Sequence, residues 1–290
     1  MGKFTSVKAK AKINIALDIV GKRDDGYHEI KTIMQTVDLC DNVKITVNKE
    51  SDGINITTDS DKIPTDEKNL AYKAASYLKE NYGIKDGIDI YIQKNIPVAA
   101  GLAGGSTDCA AVLKGVRNLF ELPLSDSELK EIAVKFGADV PYCIDGGTCL
   151  AEGIGEKLTK LPDFPVMYVV LAKPDIDVST AEVYKEFDMA NVSERPDMAK
   201  FRKDIEKNNL KEVCDSLCNV LESVTIKKYP IIEEIKCAML EFGALGSLMS
   251  GSGPTVFGLY IYKQDGINTL KYLRSKFGIS ECYLVNIANL

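Results

Sequence analysis

Ile96-Pro97-Val98-Ala99-Ala100-Gly101-Leu102-Ala103-Gly104-Gly105-Ser106-Thr107-Asp108 joins two different periodicities, and that junction decides the fold. Upstream, Ile88, Ile90 and Ile92 alternate with polar residues, the period of a strand running into Pro97. Downstream, Cys109, Val112, Leu113, Val116 and Phe120 recur at the spacing of one helix face. The joining segment is made of small residues that leave the backbone uncovered, with Ser106 or Thr107 expected to cap the helix. Bare amides at a helix N-terminus attract anions, because unpaired N–H groups and the positive end of the helix dipole point the same way. Gly104 is expected to require a φ closed to β-branched residues. The segment lacks the Gly-Lys-Ser/Thr ending of a P-loop and the spacing of a dinucleotide fingerprint. Taken alone, it is either a phosphate cradle or a glycine turn that lets a helix pack closely on a strand.

Working outward, Lys12 to Ile19 alternates strictly, which predicts a half-buried strand with Ile13, Ile15, Leu17 and Ile19 inward. Lys12, Asn14 and Asp18 then share the polar face. A polar loop from Gly21 to Gly26 leads to an extended run from His28 to Val37, followed by strands over 43–47 and 54–56. Residues 66–82 read as a helix stopped by Gly83, and Ser125 with Glu128 forms a capping box that opens a helix ending at Gly137. Strands followed by helices favour an α+β domain. A second unit is expected from about Pro162–Pro165, with a strand over 166–171, helices over 197–223, 230–242 and 266–277, and a last strand over 282–287. Its alternation suggests a split βαβ arrangement.

Two further segments carry chemical interest. Ser250-Gly251-Ser252-Gly253-Pro254 is a second small-residue loop between strands, and by itself an ordinary hairpin is as good a reading. Asp139, in Gly137-Ala138-Asp139-Val140-Pro141, follows a helix stop in a stretch expected to be extended by the proline, which would project it into a cleft. A lone aspartate there, or a lone lysine on a strand face, is ordinarily just solvated.

Composition narrows the classes. The chain has 290 residues, enough for two domains or one large one. Lys+Arg total 36 against 42 Asp+Glu, a net charge of −6, and no basic run marks a nucleic-acid binder. The single histidine, His28, excludes zinc proteases, HRD-type kinase loops and His₃ metal centres, so any base is expected to be a carboxylate or lysine. The eight cysteines form no Cys-x-x-Cys pair. Cys214 and Cys218, four apart on an expected helix, read as small buried hydrophobes rather than metal ligands. No secretion signal and no membrane-length apolar run is present, so a cytoplasmic protein without membrane or nucleic-acid partners is expected.

In combination these segments resemble the GHMP small-molecule kinases. The resemblance rests on the order Lys12-x-Asn14, the Pro97–Asp108 loop, Gly137–Pro141 and Ser250–Pro254. Gly21-Lys22-Arg23-Asp24-Asp25-Gly26-Tyr27-His28 is its most specific segment. It implies an α+β, two-domain GHMP kinase fold. Residues 1–162 would form an N-terminal domain like ribosomal protein S5 domain 2, carrying the ATP loop and the catalytic lysine and aspartate. Residues 163–290 would form a ferredoxin-like C-terminal domain. It further implies ATP-dependent phosphorylation, with Mg²⁺, of the 2-hydroxyl of a cytidine-diphosphate-linked methylerythritol, a step of the non-mevalonate route to isoprenoids. Lys12 and Asp139 match the family's catalytic pair. Pro97, Val98, Ala99, Ala100, Gly101, Leu102, Ala103, Gly104, Gly105, Ser106 and Thr107 match its ATP loop. Asn14, Tyr27, His28 and Tyr184 match substrate-binding positions, the aromatics flanking the cytosine. The metal ligands are not identified; Ser106, Thr107 and Asp108 are candidates. The protein is expected to be a monomer or homodimer. A homoserine kinase would have no use for the Tyr27–His28 pair, and a binding module without activity would have no use for both Lys12 and Asp139.

Overall fold

The computed structural model describes residues 2–24 and 26–289; Asp25 of the Gly21–His28 segment lies outside the described residues. The chain divides into two compact units. One comprises the chain up to Ala11, Leu39–Val98 and Ala103–Asp145; the other comprises Lys12–Asp38, Ala99–Leu102 and the chain from Gly146 on. The first two strands, β1 (Phe4–Lys22) and β2 (His28–Asn48), are long enough to run through both.

In the first unit, β3 (Ile54–Thr58) is followed by α1 (Leu70–Asn81), β4 (Gly87–Gln93), α2 (Gly104–Leu119), α3 (Asp126–Ala133) and α4 (Val140–Asp145). The end of β2 pairs antiparallel with β4, Ile45 opposite Ile90, and β4 pairs parallel with β3. Every second residue of these strands, including Val43, Ile45, Ile88, Ile90 and Ile92, turns into a core completed by Ala74 and Leu78 of α1 and by Cys109, Val112, Leu113 and Val116 of α2. Burying each large aliphatic contributes about 1.5–3 kcal/mol. Asn69 caps α1 by accepting from Ala71 N at 2.9 Å, and Ser125 with Glu128 forms the expected box on α3.

The second unit holds β5 (Thr148–Gly153), β6 (Lys157–Lys160), β7 (Tyr168–Lys173), α5 (Thr180–Glu186), α6 (Met198–Glu206), α7 (Leu210–Asp215), β8 (Cys218–Asn219), α8 (Glu222–Lys228), α9 (Ile231–Glu241), β9 (Gly246–Met249), β10 (Val256–Tyr260), α10 (Lys263–Phe277) and β11 (Glu281–Asn286). The start of β2 pairs antiparallel with β5, and β5 with β6. Strand β8 pairs parallel with β1 at Ala16 and Leu17. A separate antiparallel sheet has the order β11-β7-β10-β9, and α9 and α10 pack on it over Val170, Ala172, Ile235, Met239, Tyr260 and Leu273.

Several expectations are corrected. Over Lys12–Ile19 strand β1 is not half-buried: Ile13, Ile15 and Ile19 are fully buried, and Lys12, Asn14 and Asp18 on the other face are buried as well. The helix expected over 197–223 breaks into α6, α7 and α8 with β8 inserted, so Cys214 and Cys218 lie on different elements; both thiols are pushed up to about 12, chiefly by burial. Val140 and Pro141 open α4 instead of extending, because a proline in a first helical turn has no hydrogen bond to lose. Helix α3 ends at Ala133, short of Gly137. Among the described residues no helix is long and apolar enough to cross a membrane.

Candidate active site

The middle of the Pro97–Thr107 loop takes a left-handed backbone at three alternate residues: φ is +53° at Ala99, +71° at Gly101 and +59° at Ala103. For an alanine this conformation costs roughly 1–2 kcal/mol, and it persists only where the surroundings impose it. A backbone that turns through left-handed residues in this way can gather neighbouring N–H groups into one concavity, a nest for an anion. Pro97, Ala100 and Leu102 anchor the loop by burial, whereas Ala99 and Gly105 are exposed and Val98 and Gly101 half-buried. The left-handed requirement expected at Gly104 falls instead on Gly101 and Ala103 before it. What Gly104 needs is room, since a Cβ there would meet Ile96 Cγ2 at 3.2 Å and Lys94 Nζ at 3.3 Å.

Helix α2 starts at Gly104, earlier than expected, so neither Ser106 nor Thr107 is its cap. The capping position belongs to Ala103, which has no side chain able to accept from the first turn. Thr107 is buried and donates its hydroxyl to Lys10 O at 2.8 Å. The first turn of a sixteen-residue helix thus has no side-chain cap from its N-cap residue, the property that makes a helix N-terminus open to phosphate.

In the second unit, Lys12 is fastened to the Ala99–Leu102 part of this loop. Its backbone N–H donates to Leu102 O at 3.2 Å, and its ammonium donates to Asn14 Oδ1 at 2.6 Å and to Gly101 O at 3.3 Å. Asn14 is oriented in turn: its Nδ2 donates to Thr32 Oγ1 at 2.8 Å, and Thr32 donates to Ala16 O at 2.7 Å. Asn14, matched to substrate binding, therefore positions the lysine.

The Ser250–Gly253 loop supplies what sequence reasoning left open. Ser250 Oγ donates to Gly101 O at 3.0 Å and accepts from Asn14 N at 3.2 Å. Gly101 has no space for a side chain, as a Cβ would stand 2.3 Å from Ser250 O. Ser252 Oγ shares a 2.8 Å hydrogen bond with Thr180 Oγ1 at the start of α5. Asn219 Nδ2 donates to Met249 O and Gly251 O, and Glu222 accepts from Met249 N at 2.8 Å. This loop joins the lysine strand, the middle of the glycine loop and α5. Ser and Gly at 250–253 were the only signal for it in the sequence; Asn219 and Glu222 gave none.

Helix α5 carries Tyr184, whose ring centroid lies 5.4 Å from that of His28 at an interplanar angle of 49°. Tyr27 is 62% exposed. Burial, with a smaller contribution from Lys22, lowers the His28 pKa, which favours the neutral imidazole. Asp139 belongs to the first unit; it is half-buried just ahead of α4 and accepts Cys143 N at its carbonyl, 3.2 Å away, leaving the carboxylate out of that bond. Among the described residues no three of His, Cys, Asp and Glu gather as a metal site.

Comparison with known proteins bears on both halves of the chain. The GHMP kinases N terminal domain pattern matches residues 69–147, and the GHMP kinases C terminal pattern matches residues 201–279. A 4-diphosphocytidyl-2-C-methyl-D-erythritol kinase of Caldicellulosiruptor saccharolyticus is 53% identical over 268 residues, covering 92% of this chain and 92% of the relative. The protein of that name from Clostridioides difficile is 49% identical, over 98% of this chain and 95% of its own. The crystal structure of a 4-(cytidine 5'-diphospho)-2C-methyl-D-erythritol kinase superposes with a TM-score of 0.84 at 29% identity, covering 99% of this chain and 100% of the other. Relatedness of that extent, with both family patterns in order along one chain, means that this protein belongs to the GHMP kinases.

Proposed function

We propose that the protein transfers the γ-phosphoryl group of ATP to the 2-hydroxyl of 4-diphosphocytidyl-2-C-methyl-D-erythritol, giving the 2-phosphate and ADP in the non-mevalonate route to isopentenyl diphosphate. The observation that carries this reading is the 53% identity, over 92% of both chains, to a kinase named for that substrate. The neighbouring His28 and Tyr184 rings support it, since aromatic side chains gathered in one place suit a cytosine.

Phosphoryl transfer asks a protein mainly for positioning and charge neutralisation. The nest at Ala99–Ala103 and the uncapped start of α2 receive the triphosphate through backbone N–H groups. Asp139 takes the proton of the 2-hydroxyl as its oxygen bonds to the γ-phosphorus and the bond to the β-phosphate oxygen breaks. Lys12, held by Asn14 and Gly101, supplies positive charge to the transferring group. Tyr27, His28 and Tyr184 bind the cytidine. Among the described residues no carboxylate cluster gathers to hold a metal alone, so Mg²⁺ would be held by the nucleotide's phosphate oxygens and the Ser106 hydroxyl, and it would supply neutralisation of phosphate charge. We take the functional division at residue 162/163; the family patterns, over 69–147 and 201–279, lie on either side of it. The enzyme works in the cytoplasm, as a monomer or homodimer, without nucleic-acid or membrane partners.

The test is a panel in which the purified protein and ATP meet the cytidine substrate, homoserine, mevalonate and galactose in turn. The reading predicts turnover of the first alone. Turnover of homoserine instead would replace the substrate while leaving the family intact.

A further inference from the structure

A buried charge cluster in the first unit lies at the base of the glycine loop. The Lys94 ammonium is paired with Asp41 and with Asp108 Oδ2, the latter at 2.9 Å. All three side chains are at most 5% exposed. Asp41 also pins the strand leading into the loop, its Oδ1 accepting from Asn95 N at 2.6 Å and Ile96 N at 2.8 Å. Asp108 lies just past the first turn of α2, beyond the loop's other end.

Two features separate this cluster from ordinary packing. Two carboxylates share one ammonium in a buried site, an arrangement that apolar residues of similar volume usually match or better in stability. In addition, Asp108 Oδ1 is buried and has no hydrogen-bond partner among the described residues, a cost that a native fold keeps where something else depends on the group. The Lys94 ammonium also occupies the space beside Gly104, within 3.3 Å of where a Cβ would stand. It therefore touches both approaches to the loop.

We propose that Asp41, Lys94 and Asp108 form a clasp that closes the two ends of the Pro97–Thr107 loop and fixes the first turn of α2 in the shape that receives the nucleotide's phosphates. Lys94 and Asp108 are then positioning residues for ATP. This rests on the assignment of that loop to ATP phosphates.

Asp108→Leu tests it. The substitution removes the orphaned oxygen and a buried charge but leaves Lys94 paired with Asp41. The melting temperature should hold or rise, while the Kd for a non-hydrolysable ATP analogue, measured by calorimetry, weakens at least about tenfold, the order of loss that slight misplacement of binding groups brings. The KM for the cytidine substrate should change by less than about twofold on the same reasoning, because the clasp touches none of its proposed contacts. Asp108→Asn, which keeps an acceptor facing Lys94, should recover most of the analogue affinity. A folded Asp108→Leu protein with unchanged analogue affinity overturns the inference. So does a parallel loss for both ligands with a lowered melting temperature, which is what a purely structural role gives. If the leucine variant does not fold, Asp108→Asn and Asp108→Ala carry the same comparison, and an unchanged alanine variant overturns the inference equally. Failure of the wild-type protein to bind the analogue would instead remove the reading of the loop itself.

Discussion

Ser250→Ala removes one oxygen that serves two partners. In the folded protein the side chain is fully buried, donates to Gly101 O at 3.0 Å and accepts from Asn14 N at 3.2 Å. Losing a neutral hydrogen bond costs about 1 kcal/mol net, and leaving a buried N–H without an acceptor costs about 1–3 kcal/mol. Gly101 O keeps the Lys12 ammonium at 3.3 Å, so its loss is the smaller; the Asn14 amide is the group stranded. The sum is about 2–4 kcal/mol, which for a chain of this size lowers the melting temperature by roughly 3–7 °C. Because Gly101 carries the left-handed centre of the nest, loosening it should also raise the KM for ATP by about tenfold. The link from this loop to Tyr184 runs through Ser252 and Thr180, so the KM for the cytidine substrate should stay near wild type. Scanning fluorimetry and steady-state kinetics at saturating co-substrate read both effects. A variant with wild-type melting and wild-type ATP KM would refute the fastening role of Ser250, and equal damage to both KM values would refute its selectivity.

Asp139→Asn keeps the shape of the side chain and removes the proposed proton acceptor; kcat should fall by about 10²–10⁴ with both substrates still bound, and a variant retaining half the wild-type rate would require another base. Lys12→Met should also depress kcat, and the double variant should be little worse than the poorer single if the two act on one step. Tyr27→Ala should raise the KM for the cytidine substrate and leave that for ATP nearly unchanged, with stacking worth about 1–3 kcal/mol by analogy with base stacking on aromatic side chains. Burial holds the Glu222 carboxyl above its ordinary value against the pull of Lys236. An acid raised in this way keeps its proton in the folded state after the unfolded chain has released it, so the stability it contributes is present below about pH 4.5 and lost as pH rises. A melting series on Glu222→Gln should therefore show the variant gaining on wild type with rising pH; a constant gap would mean the carboxyl is not raised.

The glycine loop was legible because its chemistry is local. Small residues between a strand period and a helix period leave bare amides whatever the rest of the chain does, and Val112, Leu113 and Val116 then place the helix on its core. Local pattern did not reach the burial of Lys12, Asn14 and Asp18, since alternation reports two faces but not that both are covered. It also missed where α2 begins: the sequence offers Ser106 and Thr107 as caps, while the backbone at Ala103 takes a left-handed turn that only its tertiary surroundings impose. The Asp41–Lys94–Asp108 cluster joins residues 53 and 14 positions apart, and no periodicity connects them. Asn219 and Glu222 escaped for the same reason, the helix expected there being broken by β8.

The most direct test of the central claim is ³¹P NMR of a reaction containing the purified protein, MgATP and 4-diphosphocytidyl-2-C-methyl-D-erythritol. The account predicts a new phosphomonoester signal that shows no three-bond proton coupling, because carbon 2 bears the methyl branch and no hydrogen, together with an intact diphosphate bridge to cytidine and ADP in equal amount. Release of inorganic phosphate with the sugar alcohol unchanged, or no consumption of ATP under conditions where the protein is folded, would contradict it.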